Sequence, residues 1–311
     1  VSLKVFALSN SLRLGRLISE SLALPLGQVK ISRFNDGEIF VEFLENVRGS
    51  DCFVLQSLYP NSSDALVELL LAIDTLKRAS AGRITAVVPY FCYMRQDRKL
   101  KPRVPISFKL VANILVSSGA DRVLTMDLHK GQLAGFFDIP LDNLLPLPVF
   151  VPFLQSLNFH PDTAVVSPDH GGIERAQRLM EAMRLKNLIL VYKSRNEEGL
   201  KTFGMIGNCE SKDVIVVDDI IDSGGTLRST VQLLRNNQAR NIYCCITHGV
   251  FSNPPQKIFS GFENLEVIIT NTINVTSLDS PNLKVLDVSK LFADAIKRIH
   301  ANESVSELFR W

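Results

Sequence analysis

In Val216-Val-Asp-Asp-Ile-Ile-Asp-Ser-Gly-Gly-Thr226 an apolar run ends in two carboxylates, Asp218 and Asp219, and then turns through Asp222, Ser223, Gly224, Gly225 and Thr226. Leu227, Val231 and Leu234 follow at i, i+4 and i+7, the spacing of one helical face. Strand, glycine turn and amphipathic helix in that order belong to an open α/β sheet, whose ligands sit beyond the carboxyl ends of its strands. The glycines let backbone N–H groups face inward. The Ser and Thr hydroxyls add donors, and the helix start adds a partial positive charge, so the turn reads as a phosphate cradle. Two carboxylates beside it suit sugar hydroxyls or a hydrated Mg²⁺. The plainer reading is an acidic strand end with a helix cap. Neither G-x-x-x-x-G-K-[ST] nor G-x-G-x-x-G occurs in the chain, so a Walker loop and a dinucleotide fingerprint have no support.

Working outward, short β-rich runs alternate with segments of helical period. Strands are predicted at 3–8, 28–34, 38–44, 51–56, 83–91 and 121–128, then at 163–167, 187–192, 213–219, 241–247, 266–270 and 284–288. Between them, Leu66, Leu69, Leu70, Ile73 and Leu76 share one face of a predicted helix over 64–79. Ile-Thr-Ala-Val-Val at 84–88 and Val-Ile-Val-Val at 214–217 are unbroken apolar runs, as strands buried on both faces should be. The prediction is an α/β fold of mainly parallel sheets flanked by helices. At 311 residues two domains are expected, and the proline-rich stretch 141–152 is the natural boundary, dividing the chain into 1–145 and 146–311. Its apolar content predicts that it packs.

With 34 basic against 32 acidic residues, the net charge of +2 argues against a nucleic-acid binder working by basicity. The five cysteines, Cys52, Cys92, Cys209, Cys244 and Cys245, are scattered without a C-x-x-C, so neither a disulfide framework nor a zinc site is expected. The opening Val-Ser-Leu-Lys-Val-Phe-Ala lacks a signal-peptide pattern. The longest apolar run, Leu144 to Leu154, is interrupted by prolines and is shorter than a membrane span. A soluble cytoplasmic protein with no membrane partner is predicted.

Other segments sharpen the reading. Arg33-Phe-Asn-Asp-Gly-Glu38, Asn46-Val-Arg-Gly49, Arg95-Gln-Asp-Arg-Lys99, Asp127-Leu-His-Lys-Gly-Gln132, Phe136-Phe-Asp-Ile-Pro140, Val166-Ser-Pro-Asp-His-Gly-Gly172 and Thr247-His-Gly249 stand in one order along the chain. Together with 216–226 they resemble the ribose-phosphate diphosphokinase (phosphoribosyl diphosphate synthetase) family. The resemblance implies two similar domains of the type I phosphoribosyltransferase fold. It implies transfer of the diphosphoryl group of ATP to ribose 5-phosphate, with Mg²⁺, giving phosphoribosyl diphosphate and AMP.

By that resemblance, Asp218, Asp219, Asp222, Ser223, Gly224, Gly225 and Thr226 bind ribose 5-phosphate, and His129 and Asp169 hold Mg²⁺ on the ATP phosphates. Arg95, Gln96 and Asp97 contact ATP, and Phe34, Asp36 and Glu38 form an adenine site that reaches a neighbouring subunit. Lys193 and Arg195, before the polar, glycine-bounded stretch 196–204, act in catalysis on a mobile lid. Arg48, Ser80, Ser304 and Ser306 are candidates for a phosphate-regulated pocket in a hexamer built of dimers. Plainer readings stand beside these. His129 suits a structural histidine, Asp169 a helix cap, Phe34 a core residue, 95–103 a solvated basic loop, and Ser304-Val-Ser-Glu307 a capping box. Two rival functions share part of the pattern: a phosphoribosyltransferase, and a non-catalytic protein associated with true synthetases.

Overall fold

The computed structural model describes residues 1–195, 201–275 and 280–309, with backbone alone at 193–195 and 201–202. The chain divides into two compact units. One comprises Val1–Leu145, Thr272–Asn274 and the C-terminal stretch from Val288 onward; the other comprises Pro146–Asn271 and the stretch ending at Asp287.

The first unit is built from β1 (Leu3–Ala7), α1 (Leu12–Leu22), β2 (Val29–Arg33), β3 (Ile39–Phe43), β4 (Asp51–Leu55), α2 (Ser62–Arg78), β5 (Arg83–Val88), α3 (Ser107–Ser118), β6 (Arg122–Met126) and β7 (Leu141–Leu144). The order β1-β4-β5-β6-β7 makes a parallel five-stranded sheet, while β2 and β3 form a separate antiparallel hairpin. Every residue of β4 is buried, and β5 is buried from Ile84 on, so the unbroken apolar runs are strands covered on both faces. On α2 the predicted stripe turns inward, with Leu69, Ile73 and Leu76 fully buried.

The second unit contains α4 (Leu147–Gln155), β8 (Ala164–Ser167), α5 (Ile173–Ala182), β9 (Asn187–Arg195), β10 (Lys201–Ile206), β11 (Val214–Ile221), α6 (Gly225–Asn236), β12 (Ile242–Gly249), α7 (Pro255–Phe259), β13 (Leu265–Thr270) and β14 (Leu283–Leu286). Its sheet runs β10-β9-β8-β11-β12-β13-β14 and is parallel except for the β9–β10 pair. Both units are thus mainly parallel sheets with flanking helices.

Three features differ from the sequence reading. The proline-rich stretch holds a strand of the first unit, β7, and the first helix of the second, α4. Pro146 and Pro148 stand at the helix start, where proline's fixed φ and missing N–H cost nothing. The segment expected to be a lid is partly strand: Lys201 pairs with Arg195, and the ladder continues to Ile206 opposite Leu190. Gly204, read as a lid glycine, faces Tyr192 so closely that a Cβ there would come within 2.5 Å of its ring. Residues 196–200 lie outside the described residues. Finally, the second unit does not run to the C-terminus as the 146–311 division expected. The last helix, α8 (Ser289–His300), packs with α1 in the first unit and buries Phe292, Ala295, Ile296 and Ile299. Its end is tied down by Asp51, 2.7 Å from His300 Nδ1, and by Arg83, which donates to the Ile299 carbonyl at 2.9 Å.

Among the described residues no helix is long and apolar enough to cross a membrane. All five cysteines are free and buried. Burial pushes the Cys52 and Cys92 thiols up to about 12.

Candidate active site

In the second sheet the chain moves from β8 outward to β9 and β10, then returns to place β11 on the other side of β8. The gap between β8 and β11 is therefore the topological switch point, where the connecting segments part and leave a crevice. The register sharpens this. β11 pairs with β8 only through Val216, opposite Val166, yet continues against β12 to Ile221. Asp218 and Asp219 thus extend past the end of β8, beside the turn that carries Asp169.

Asp169 caps that turn: its Oδ1 accepts from Gly171 N at 2.7 Å and Gly172 N at 3.1 Å. The capping reading and a ligand role coexist, because one carboxylate has more than one lone pair to offer. Ser167 Oγ donates to the Asp169 carbonyl at 2.6 Å, fixing the turn to the strand end. Asp219 is 3% exposed, and its Oδ1 lies 3.6 Å from Arg175 Nη1. Asp219 N donates to Asp218 Oδ1 at 2.9 Å. Burial, then the adjacent charge of Asp219, pushes the Asp218 carboxyl well above the usual carboxylate range. Arg175 pulls the other way, and Asp169 adds to the rise. Three carboxylates against one guanidinium make a site short of positive charge, which a cation or hydroxyl donors relieve. Among the described residues no group of three or more His, Cys, Asp or Glu is placed to hold a metal ion by itself. The donor set accordingly suits a cation that keeps water or ligand oxygens in its shell.

Arg175 is the residue that sequence reasoning missed. Its only signal is its place on the first turn of α5, directly behind the glycines that follow Asp169.

The glycine turn lies beyond the end of β11. Gly224 adopts φ +79°, a left-handed conformation that favours glycine, and serves as N-cap of α6. Arg228 N donates to the Gly224 carbonyl at 2.8 Å, which starts the helix. Having no side chain, Gly224 makes no side-chain cap to α6, whose start carries the partial positive charge that suits a phosphate.

In the first unit, Arg95–Asp97 follow β5 and Asp127–His129 follow β6, so both groups extend from the carboxyl edge of neighbouring strands. Gln96 Oε1 accepts from Ser107 Oγ at 2.6 Å, anchoring the basic loop to the start of α3. Asp127 is buried at φ +45°, and its N–H donates to Leu144 O at 2.9 Å. Phe34, Asp36 and Glu38 occupy the tip of the β2–β3 hairpin, where Phe34 N donates to Glu38 O and Glu38 N to Asp36 Oδ1. Phe34 is 57% exposed, so it is no core residue.

Gly49 N donates to Ser80 O at 2.8 Å, which brings the Arg48 and Ser80 turns together. Ser304 and Ser306 pair their hydroxyls at 2.7 Å in the tail after α8. Lys193 and Arg195 lie on β9 by their backbone, and their side chains lie outside the described residues.

Residues 3–119 match the N-terminal domain of ribose phosphate pyrophosphokinase, and residues 201–310 match the phosphoribosyl synthetase-associated domain. The ribose-phosphate pyrophosphokinase of Brucella melitensis biotype 1 is 46% identical over 310 residues, covering 99% of this chain and 100% of its own. The chain belongs to the ribose-phosphate pyrophosphokinase family. A second member, from Clostridium tetani, is 43% identical over 311 residues, covering 99% of this chain and 97% of its own. The crystal structure of the phosphoribosylpyrophosphate synthetase from Mycobacterium smegmatis superposes with a TM-score of 0.92 at 36% identity, over 97% of this chain and all of that one. The fold is therefore shared over 97% of the chain. A single-domain phosphoribosyltransferase leaves the segments at 33–38, 95–99 and 127–132 without a counterpart.

Proposed function

We propose that the chain transfers the diphosphoryl group of ATP to the 1-hydroxyl of ribose 5-phosphate, giving phosphoribosyl diphosphate and AMP. One observation carries most of the weight: Asp218 and Asp219, beside Asp169 at the switch point, stand on the strand that leads into the Gly224 turn. An acid pair suits a sugar's hydroxyls, and the turn suits its phosphate.

In the reaction the 1-hydroxyl oxygen bonds to the β-phosphorus of ATP. The bond from that phosphorus to the α–β bridging oxygen breaks, and AMP leaves with this oxygen, while the hydroxyl proton passes to solvent. Such transfers need positioning and charge stabilisation more than covalent participation by the protein. Asp222 to Thr226 hold the 5-phosphate, and Asp218 and Asp219 hold the ribose hydroxyls. Arg95, Gln96 and Asp97 bind ATP, the Arg95 guanidinium suiting phosphate oxygens. Phe34 offers an exposed ring face to adenine, with Asp36 and Glu38 beside it. Lys193 and Arg195 stabilise charge that develops in the transition state. Mg²⁺, when bound, would neutralise charge on the triphosphate; His129 of the first unit and Asp169 of the second are each candidates to hold it.

The chain is read as a cytoplasmic, self-associating enzyme, a hexamer built of dimers in which the Phe34 hairpin completes a neighbour's site. Arg48, Ser80, Ser304 and Ser306 are its candidates for binding regulatory phosphate. Light scattering at assay concentration should give a dimer or larger, and a fully active monomer would refute the shared site.

The decisive experiment is AMP release from ATP and ribose 5-phosphate, matched to phosphoribosyl diphosphate formed. No AMP above background, with the protein still binding a synthetase, would make it a non-catalytic synthetase-associated protein.

A further inference from the structure

The segment after β12 touches the glycine turn and the helix it starts, and nothing in the proposed chemistry uses it. Three contacts join them. Ile258, on α7, packs against Gly224, where an added Cβ would come within 2.4 Å of Ile258 Cγ2. Arg228, one turn into α6, sends Nη1 to the carbonyls of Lys257, Ile258 and Ser260 at 3.4, 3.0 and 3.1 Å, with its guanidinium 4.9 Å from the centroid of Phe262. Asn253 Nδ2 donates to the Ser223 carbonyl at 3.2 Å. The first two contacts hold α7 against the helix. The third is a side chain gripping the turn's own backbone.

That grip has a directional consequence. The Ser223 carbonyl and the Gly224 N–H belong to one peptide unit, and in a planar trans peptide they point to opposite sides. A Ser223 carbonyl drawn toward Asn253 therefore turns the Gly224 N–H to the far side of the turn. Among the described residues no protein acceptor meets that N–H, although Gly224 itself is buried. Gly224 is free to rotate this peptide in a way other residues are not, so the turn needs an external restraint to stay in one orientation.

We infer that Asn253 is a positioning residue for the phosphate turn: its amide holds the Ser223–Gly224 peptide so that the Gly224 N–H is presented to the 5-phosphate of ribose 5-phosphate. The inference rests on the reading of Asp222–Thr226 as the phosphate cradle. Asn253 is exposed and does not belong to the packed core, so its removal should spare the fold.

The test is calorimetric titration with ribose 5-phosphate, and separately with ATP, in the presence of Mg²⁺, on the full chain and on Asn253→Ala, Asn253→Gln and Thr226→Val. Losing one restraining hydrogen bond lowers the population of the competent turn, so Asn253→Ala should weaken ribose 5-phosphate about three- to tenfold. ATP affinity, melting temperature and kcat at saturating ribose 5-phosphate should hold, and Asn253→Gln, which keeps the amide on a longer stem, should regain part of the loss. If Thr226→Val weakens ribose 5-phosphate while Asn253→Ala stays within about twofold of the parent, the positioning role is overturned and the cradle stands. If neither variant weakens it, the cradle reading fails and takes the inference with it. Equal weakening of both substrates with a lowered melting temperature would make Asn253 merely structural.

Discussion

Gly224 and Gly225 are neighbours of the same type in the same turn, yet alanine should have opposite effects at the two positions. At Gly224 the backbone has φ +79°, where an L-residue costs about 1–2 kcal/mol. The new Cβ would also stand 2.4, 2.8 and 2.9 Å from Cγ2, Cγ1 and Cδ1 of Ile258. Ile258 is 4% exposed and packs in one core cluster with Phe251 and Phe259, so it has little room to give, and overpacking of this kind costs about 1–3 kcal/mol. Against this, alanine restricts the unfolded chain and returns about 0.4–1 kcal/mol. The net expectation for Gly224→Ala is a loss of about 1–5 kcal/mol. Gly225 is already helical, and a Cβ there meets only Ser223 Oγ at 3.8 Å. The same exchange at Gly225 should therefore gain stability, by up to about 1 kcal/mol. Urea unfolding followed by circular dichroism gives the comparison, read as a shift of midpoint because a two-unit chain need not unfold in one step. Equal shifts for the two variants, or a Gly224→Ala protein as stable as the parent, would refute the geometry argued for this turn.

Lys193→Ala should lower kcat by roughly 10²–10³-fold or more with KM values little changed, as for a charge donor engaged only in the transition state; a normal kcat with raised KM would make Lys193 a binding residue. Asp218 and Asp213 should act oppositely on stability against pH, measured by melting temperature without divalent cations. The raised Asp218 carboxyl makes the folded state bind more protons, so stability falls as pH climbs from the unfolded value near ~3.9 toward the raised one, and Asp218→Asn should remove that fall. Asp213 is held low, chiefly by its hydrogen bond from Arg240, so its contribution is present above ~3.9 and lost as pH drops through its folded value; Asp213→Asn should flatten the acid limb. Arg83→Ala strips a buried Asp51 of its bidentate partner, a loss of about 3–5 kcal/mol, toward the lower end because His300 remains 2.7 Å away; an unchanged unfolding midpoint would refute it. Cys52 and Cys92, with thiols pushed up to about 12, should resist alkylation at neutral pH until denaturant is added; mass spectrometry showing rapid labelling of the folded protein would contradict their burial.

The stretch 216–226 was legible because each of its features is local. An apolar run buried on both faces needs no partner to be named, a left-handed turn calls for glycine, and a helical stripe repeats within two turns. The same holds for Asp169, whose cap is made with residues two and three places on. The sequence alone therefore determined that parallel strands end in acids and glycine turns, and the resemblance of its spaced segments named the chemistry. Where local pattern was ambiguous, the reading slipped. Gly204 looked like a lid hinge because a glycine that yields room to Tyr192 across a strand pair is indistinguishable, along the chain, from one that bends. β7 hid among prolines whose place at a helix start becomes clear only when the helix is seen.

What only the tertiary structure decided is which distant residues share a charge, a peptide or a face. Arg175 sits against Asp219, 44 positions on, because β8 and β11 are neighbours at the switch point. Asn253 reaches Ser223 because α7 folds back onto α6. The apolar face of α8, with Phe292, Ala295, Ile296 and Ile299, is buried in the first unit rather than the second. Periodicity states that a face must be covered and is silent about the cover. Burial is satisfied by any apolar partner of fitting shape, so the choice among partners is made by the packing of the whole chain.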